Sequence, residues 1–133
     1  MPITISNICF AANPNPVLLN NPEGLQNVIA RLIIEDIQKV VDDYYSEFLF
    51  SPPQIEVYES KSATKITDIN FDTENNIYVI TLEVKPYVGA HNTIGHDRII
   101  FEIDGAGNVK FQKFQHLKSF DFPPWLTDNI RKV

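Results

Sequence analysis

The chain has 133 residues, a formal net charge of −6, an apolar fraction of 44% and a charged fraction of 21%. This length is typical of one domain with one core, and this composition argues against wholesale disorder. An acidic surface without a Lys/Arg cluster repels a phosphate backbone, so nucleic acid is not an expected partner. No apolar run approaches the roughly 20 residues that a transmembrane helix needs, so no membrane span is expected.

Residues 1–22 contain no charged side chain. The sequence CFAA at residues 9–12 resembles the end of a signal peptide, although the basic n-region is missing. Two interpretations stay open: a signal-peptide remnant of a secreted or extracytoplasmic protein, or a flexible arm on a cytoplasmic one. Cys9 is the only cysteine, so no intramolecular disulfide can form. We expect an arm or signal remnant over residues 1–20, a single domain over residues 21–133, and export as the first interpretation.

An amphipathic pattern after residue 21 predicts one long helix. Asn20 or Asn21 can cap it, and Pro22 suits the first helical position. The prolines of Ser51-Pro52-Pro53 then end it. Its apolar residues recur at steps of three and four: Leu25, Val28, Ile29, Leu32, Ile33, Ile37, Val40, Val41, Tyr44, Tyr45 and Phe48. We expect this stripe to pack across one face of a sheet.

The rest of the chain predicts a curved antiparallel sheet of four to five strands. Alternating or continuous apolar patterns mark the extended segments: residues 54–58, 65–71, 77–84, 98–103 and a last strand from residue 109. A break or bulge is expected at residues 60–63 and a loop at residues 86–95. A helix followed by such a sheet is an α+β fold of the cystatin-like or nuclear-transport-factor-2-like plan.

The last hairpin has a predicted register. Gly105-Ala106-Gly107 fits a three-residue loop in which Gly107 takes the left-handed conformation. The loop and the apolar alternation set the cross-strand partners: Ile103 with Val109, Glu102 with Lys110, Phe101 with Phe111, and His96 with His116.

The segments ITLEVKPYVGAHNTIGHDRIIFEI and VKFQKFQHLKSFDFPP, with the preceding IQKVVDDYYSEFL, resemble a family of small uncharacterised proteins from Gram-positive bacteria. The resemblance covers roughly residues 33–126. It implies a single α+β domain, and it implies export because members often carry a signal peptide. It implies no activity.

The candidate metal ligands are His91, His96 and His116, and the metal itself stays unknown. Two histidines that face each other on paired strands have Cβ atoms about 4.5–5.5 Å apart, close enough to share an ion. His91 lies on a loop that could fold over that pair, whereas Asp97 points to the other sheet face unless a bulge re-aims it. Cross-strand histidines are more often hydrogen-bonded surface groups than ligands.

Tyr87 and Trp125 complete the candidate ligand-binding set with these four residues. The chain contains no HExxH, no G-x-S-x-G and no phosphate loop, so no catalytic residue and no cofactor are predicted. We expect a non-enzymatic exported domain that binds a protein or small ligand through the Pro86–Asp97 segment and the aromatic C-terminal segment. The alternative is a metal-dependent or histidine-based enzyme that uses the three histidines. Homodimer formation stays open.

Overall fold

The computed structural model describes residues 22–57 and 64–131. Predictions about the arm at residues 1–20, the helix caps at Asn20 and Asn21, and the break at residues 60–63 lie outside the described residues. Within them the fold is α+β, as predicted, with helices that precede an antiparallel sheet. None of the helices in these two ranges is long and apolar enough to cross a membrane.

The predicted long helix is divided into two shorter ones, α1 (Pro22–Leu32) and α2 (Ile34–Tyr45). The hydrogen-bond ladder continues across the division, because the N–H of Ile33 donates to the Ile29 carbonyl at 3.2 Å. Ile33 itself leaves helical geometry, with φ −108° and ψ 18°. The adjacent β-branched residues Ile33 and Ile34 are weak helix formers, which is consistent with a local departure at this point.

The strands are β1 (Thr64–Asp72), β2 (Ile77–Val84), β3 (Tyr87–Val88), β4 (Asn92–Thr93), β5 (Gly95–Ile103) and β6 (Val109–Ser119). Four of them form one antiparallel sheet in the order β1-β2-β5-β6, and β3 pairs with β4 in a separate small hairpin. A short 3₁₀ helix, Pro124–Asn129, follows the sheet.

Two predicted segments differ from the structure. Residues 54–57 form no regular strand, since Gln54 makes only an isolated bridge with Tyr87 and Ile55 is buried in the core. The predicted loop at residues 86–95 contains the β3–β4 hairpin and the first residue of β5.

The core lies between α2 and one face of the sheet. Ile37, Val41 and Tyr45 form the buried side of α2. They join a cluster that includes Leu82, Ile99 and Phe101 of the central strands. The apolar stripe of α1 is less covered: Leu32 is 79% exposed. The reason is that α1 contacts the edge strand β1, whereas α2 lies over the sheet and reaches β6.

The β5–β6 pairing starts in the predicted register and then shifts twice. Ile103 faces Val109 and Phe101 faces Phe111, as expected, and Gly107 has the predicted positive φ, 85°. Beyond Phe101 two bulges each add one residue to β6, first Gln112 and then Leu117. The predicted pairing of His96 with His116 is therefore wrong: Asp97 faces His116, and His96 faces Lys118.

Candidate functional site

The two bulges place a row of polar residues of β6 on the core face of the sheet. Side chains alternate faces along a strand, so Asp97 and Gly95 share the core face with Ile99 and Phe101. Their partners on β6 are His116 for Asp97 and Ser119 for Gly95. Residues three apart in a regular strand point to opposite faces, and the bulge at Leu117 brings His116 and Ser119 to the same one.

Asp97, His116 and Ser119 form a hydrogen-bonded chain. His116 Nδ1 lies 2.5 Å from Asp97 Oδ1, and His116 Nε2 lies 2.6 Å from Ser119 Oγ. Asp97 is fully buried, His116 is 23% exposed at its side chain, and Ser119 is exposed. With Asp97 ionised, the protonated Nδ1 donates a hydrogen bond to the carboxylate, so Nε2 accepts a hydrogen bond from the Ser119 hydroxyl. The chain of groups runs from the core to the surface.

Tyr45 of α2 completes the hydrogen bonding of the buried Asp97 carboxylate. Its hydroxyl donates to Asp97 Oδ2 at 2.8 Å, so each carboxylate oxygen has a donor, as a buried charge requires. Gly95 makes this contact possible. A Cβ at Gly95 would overlap the Tyr45 hydroxyl and would lie 3.4 Å from His116 Cε1.

Burial sets the electrostatics of this network. It raises the pKa of Asp97 above its ordinary value, and the hydrogen bonds from His116 and Tyr45 oppose that rise without cancelling it. Burial also raises the pKa of Tyr45, and the charge of Asp97 raises it further, so this phenol stays a donor. The ring of Tyr44 stacks on the His116 imidazole with centroids 5.3 Å apart and holds it against the helix.

A cavity of about 220 Å³ opens beside the His116–Ser119 pair. It lies between the end of α2 and the end of β6, and its lining is mainly apolar and aromatic: Tyr44, Tyr45, Phe48, Leu49, Ile94, His116, Ser119, Phe120, Phe122 and Ile130. The lining includes no Asp, Glu, Lys or Arg. This cavity therefore joins an apolar wall to one acid–base pair and one exposed hydroxyl.

A larger groove of about 460 Å³ runs along α2 and β6 on the other side of Tyr44. Its rim carries the charged residues Asp36, Lys39 and Asp43, and its floor includes Phe101 and Phe111. It contains no histidine and no hydrogen-bonded acid–base pair, so the smaller cavity is the better candidate site.

His96 belongs to a different network on the opposite sheet face. Its Nε2 lies 2.6 Å from Glu83 Oε1, and Arg98 donates to Glu83 Oε2 at 3.2 Å. Partial burial would raise the pKa of Glu83, but the hydrogen bonds from His96 and Arg98 outweigh it and hold the pKa below its usual value. The three side chains are partly exposed and satisfy one another, so they have the character of a structural ion-pair network.

His91 and Tyr87 lie together at the β3–β4 hairpin, away from His116. The two rings stack with centroids 4.5 Å apart, and His91 has a positive φ of 61°. Burial raises the pKa of Tyr87 to about 12, together with the nearby Glu56 carboxylate. Tyr87 lines a third cavity of about 450 Å³ with the Phe50–Gln54 segment and the 3₁₀ helix. Trp125 is 73% exposed on that helix.

The three histidines thus occupy three separate sites. Within residues 22–57 and 64–131 no group of three or more His, Cys, Asp or Glu side chains could hold a metal ion. Of the candidate ligand-binding residues, the structure joins Asp97 with His116 and Tyr87 with His91, and it leaves His96 and Trp125 apart from both pairs.

Sequence reasoning missed Tyr45, Gly95 and Ser119. Tyr45 has the spacing of the buried helical stripe, so its polar role gave no separate signal. The alternation of β5 did contain a signal for these partners. Asp97 lies on the same face of the strand as Ile99 and Phe101, and a carboxylate on a core face needs hydrogen-bond partners. The position of Ser119 depends on a bulge that no local sequence pattern announces.

Fold and site together define a small α+β domain with a buried Tyr–Asp–His network that ends in a surface hydroxyl beside an apolar cavity. The chain belongs to the family described as "Protein of unknown function (DUF3888)", which matches residues 25–118. The predicted membership of a domain-of-unknown-function family is therefore confirmed. The match includes Asp97 and His116 and ends one residue before Ser119. The comparisons with curated proteins and with solved structures gave no match.

Proposed function

We propose that this domain binds a small, uncharged ligand in the cavity beside His116 and Ser119. The observation that supports this most is the joining of an apolar wall to a polar pair whose outer groups are accessible. Ligand sites in proteins are typically apolar concavities with a few placed polar groups. The Ser119 hydroxyl and His116 Nε2 are those groups here.

The size and charge of the cavity narrow the ligand class. Its volume of about 220 Å³ is below the usual range for drug-sized ligands, about 300–1,000 Å³, so a small molecule or one side chain would fill it. The lining offers no permanently charged group to a charged ligand. A neutral molecule with an aromatic or short aliphatic body and one hydrogen-bonding group fits both features.

NMR titration with 4-nitrophenol and benzyl alcohol tests this proposal, at a mildly acidic pH that keeps the phenol neutral. We expect saturable amide shifts confined to the residues around the cavity. Ser119→Trp should abolish them, because it fills an exposed position of the lining. Ser46→Trp is the matched control: Ser46 is an exposed serine after α2 whose hydroxyl donates to the Asp43 carbonyl, and it does not line the cavity. Shifts that do not saturate, or that persist in Ser119→Trp, would contradict the proposal.

We also propose that the protein is exported, with a Gram-positive bacterium as its source. The support comes from the uncharged residues 1–22, the CFAA sequence at residues 9–12, and the resemblance to small, often secreted proteins. N-terminal sequencing of protein from the native culture medium tests export. Recovery of a chain that begins at Met1, in the cytosol alone, would exclude it.

The cystatin-like or nuclear-transport-factor-2-like plan is part of the same proposal. A helix, α2, that packs on one face of an antiparallel sheet supports it, as do the bulges that bend β6. An experimental structure in which the sheet does not curve around α2 would exclude it.

A further inference from the structure

We propose that Ser119 is a nucleophile, activated by His116 and Asp97, that accepts an acyl group from a neutral ester bound in the cavity. This inference rests on the proposed function and names its substrate class. It also replaces the non-enzymatic interpretation with the histidine-based alternative, in which His116 is the only histidine that takes part.

The order and spacing of the groups support this role. A hydroxyl becomes a useful nucleophile when a base lies within about 2.6–3.2 Å and a third group orients that base. The Ser119 Oγ–His116 Nε2 distance is 2.6 Å, and the His116 Nδ1–Asp97 Oδ1 distance is 2.5 Å. A buried carboxylate on Nδ1 fixes the tautomer that leaves Nε2 free to accept a proton, and it stabilises the imidazolium that forms.

The surroundings hold this arrangement in place. Tyr45 fixes the far oxygen of Asp97, the Tyr44 ring stacks on the imidazole, and Gly95 leaves the room that Tyr45 needs. A purely structural hydrogen bond to Ser119 would not need a buried carboxylate with a second donor behind the imidazole. The hydroxyl at the end of the chain is exposed and lies on the cavity wall, where an ester carbonyl can reach it.

The reaction has two balanced steps. Ser119 Oγ attacks the ester carbonyl carbon while its proton moves to His116 Nε2. The carbon–oxygen bond to the leaving group then breaks, the alcohol leaves with that proton, and an acyl-Ser119 ester remains. In the second step His116 takes a proton from water, the resulting hydroxide equivalent attacks the acyl carbon, and Ser119 regains its proton as the acid leaves.

One feature of the backbone predicts a slow reaction. The N–H of Phe120, the residue after the nucleophile, donates to the Ile94 carbonyl at 2.9 Å and so is not offered to an oxyanion. Loss of one oxyanion donor costs roughly 10²–10³ in kcat. The acyl-enzyme or a stable adduct is therefore the better readout than turnover.

The test is covalent labelling of the full chain with a fluorophosphonate probe and with 4-nitrophenyl acetate, followed by peptide mapping. We expect both reagents to modify Ser119 in folded protein. Labelling should disappear in Ser119→Ala, stay unchanged in Ser46→Ala, and fall at least about 100-fold in His116→Gln, as loss of a general base does. Wild-type protein unfolded in urea presents the same serine without its base, so it should react as slowly as His116→Gln. This comparison needs no variant to fold.

The outcomes separate the two proposals. If 4-nitrophenol binds in the cavity but folded and unfolded wild type label Ser119 equally slowly, the cavity is a binding site and the nucleophile is refuted. If Ser119 labels rapidly only in the folded chain, the nucleophile stands whatever the affinity for 4-nitrophenol. Labelling of folded protein that His116→Gln leaves unchanged would also refute it, because Ser119 would then react without its base.

Discussion

Gly95 leaves the space that the buried Tyr45–Asp97–His116 network needs, so Gly95→Ala is the sharpest perturbation of that network. Gly95 has an ordinary backbone conformation, and the cost of a methyl group there comes from contacts alone. A Cβ would overlap the Tyr45 hydroxyl and lie 3.1 Å from its Cζ. Tyr45 is 5% exposed, so its ring has little room to retreat.

The magnitude follows from two costs. Moving the Tyr45 hydroxyl breaks its bond to Asp97, and hydrogen bonds to charged groups contribute about 1.5–3 kcal/mol. Forcing a methyl group into a packed site costs about 1–3 kcal/mol more. We therefore expect Gly95→Ala to lower the free energy of unfolding by about 2.5–6 kcal/mol, a large share of the roughly 5–15 kcal/mol of a typical domain.

Urea unfolding followed by circular dichroism measures this, and a double-mutant cycle with Tyr45→Phe identifies the cause. Tyr45→Phe alone should destabilise because Asp97 loses a donor. Gly95→Ala/Tyr45→Phe should then be more stable than the sum of the two losses predicts, since the clashing oxygen is gone. Gly107→Ala is the control: it adds strain at a positive φ of 85° but meets no atom within 4 Å. Additivity of the cycle within about 0.5 kcal/mol would show that the Tyr45 hydroxyl does not lie over Gly95.

Three further predictions concern the core, the outer face and the bulge. Phe101→Ala should cost about 3–5 kcal/mol of unfolding free energy, because Phe101 is 1% exposed. Its cross-strand partner Phe111 is 47% exposed on the same face, so Phe111→Ala should cost less, and equal costs would contradict this difference in burial. The pKa of Glu83 is lowered in the folded state, so the ionised carboxylate stabilises the fold above the ordinary glutamate pKa, and this stabilisation is lost as the pH falls through the folded value. Glu83→Gln should therefore lower the free energy of unfolding in urea titrations at neutral pH and change it little at strongly acidic pH. A difference between the variant and the wild type that does not change with pH would contradict this prediction. Deletion of Leu117 should abolish fluorophosphonate labelling of Ser119 while the far-UV circular dichroism spectrum of the folded protein is retained. The control Leu117→Ala keeps the bulge and should still be labelled. Labelling of the deletion variant would show that the bulge does not position Ser119.

Much of the fold was predictable because its signals are local. The three- and four-residue periodicity located the helical region, and the continuous apolar run located β2 at Ile77–Val84 as predicted. The glycine-containing loop set the first pairs of the β5–β6 hairpin, down to the positive φ of Gly107. The division at Ile33 was not predictable, because the stripe continues through it and neither glycine nor proline marks it.

The site was predictable only in part. The chemistry-bearing segment and two of its members, Asp97 and His116, were among the candidates, but their pairing was not. Register can be extended from a turn only while each residue of one strand faces one residue of the other. Gln112 and Leu117 have no partner on β5, and each of these extra residues shifts the pairing of every later residue of β6 by one position. The candidate metal site at the three histidines depended on the pairing of His96 with His116, which the first bulge removes.

The bulges also explain how this edge of the sheet carries polar groups on the same face as the apolar core. Before Gln112 the core face of β6 bears Val109 and Phe111, and after it the same face bears Phe114, His116 and Ser119. Without the first bulge His116 would face His96 on the outer side, and the buried carboxylate of Asp97 would face Gln115 instead of an imidazole. Without the second, Lys118 rather than Ser119 would follow His116 on the core face, and an ammonium group would replace the hydroxyl beside the apolar cavity. The first insertion thus gives the buried acid an imidazole partner, and the second brings the Ser119 hydroxyl to the same face, so the acid, the base and the hydroxyl meet in order. A β6 strand without these insertions would keep the apolar pairs Ile103–Val109 and Phe101–Phe111, and it would have no candidate site.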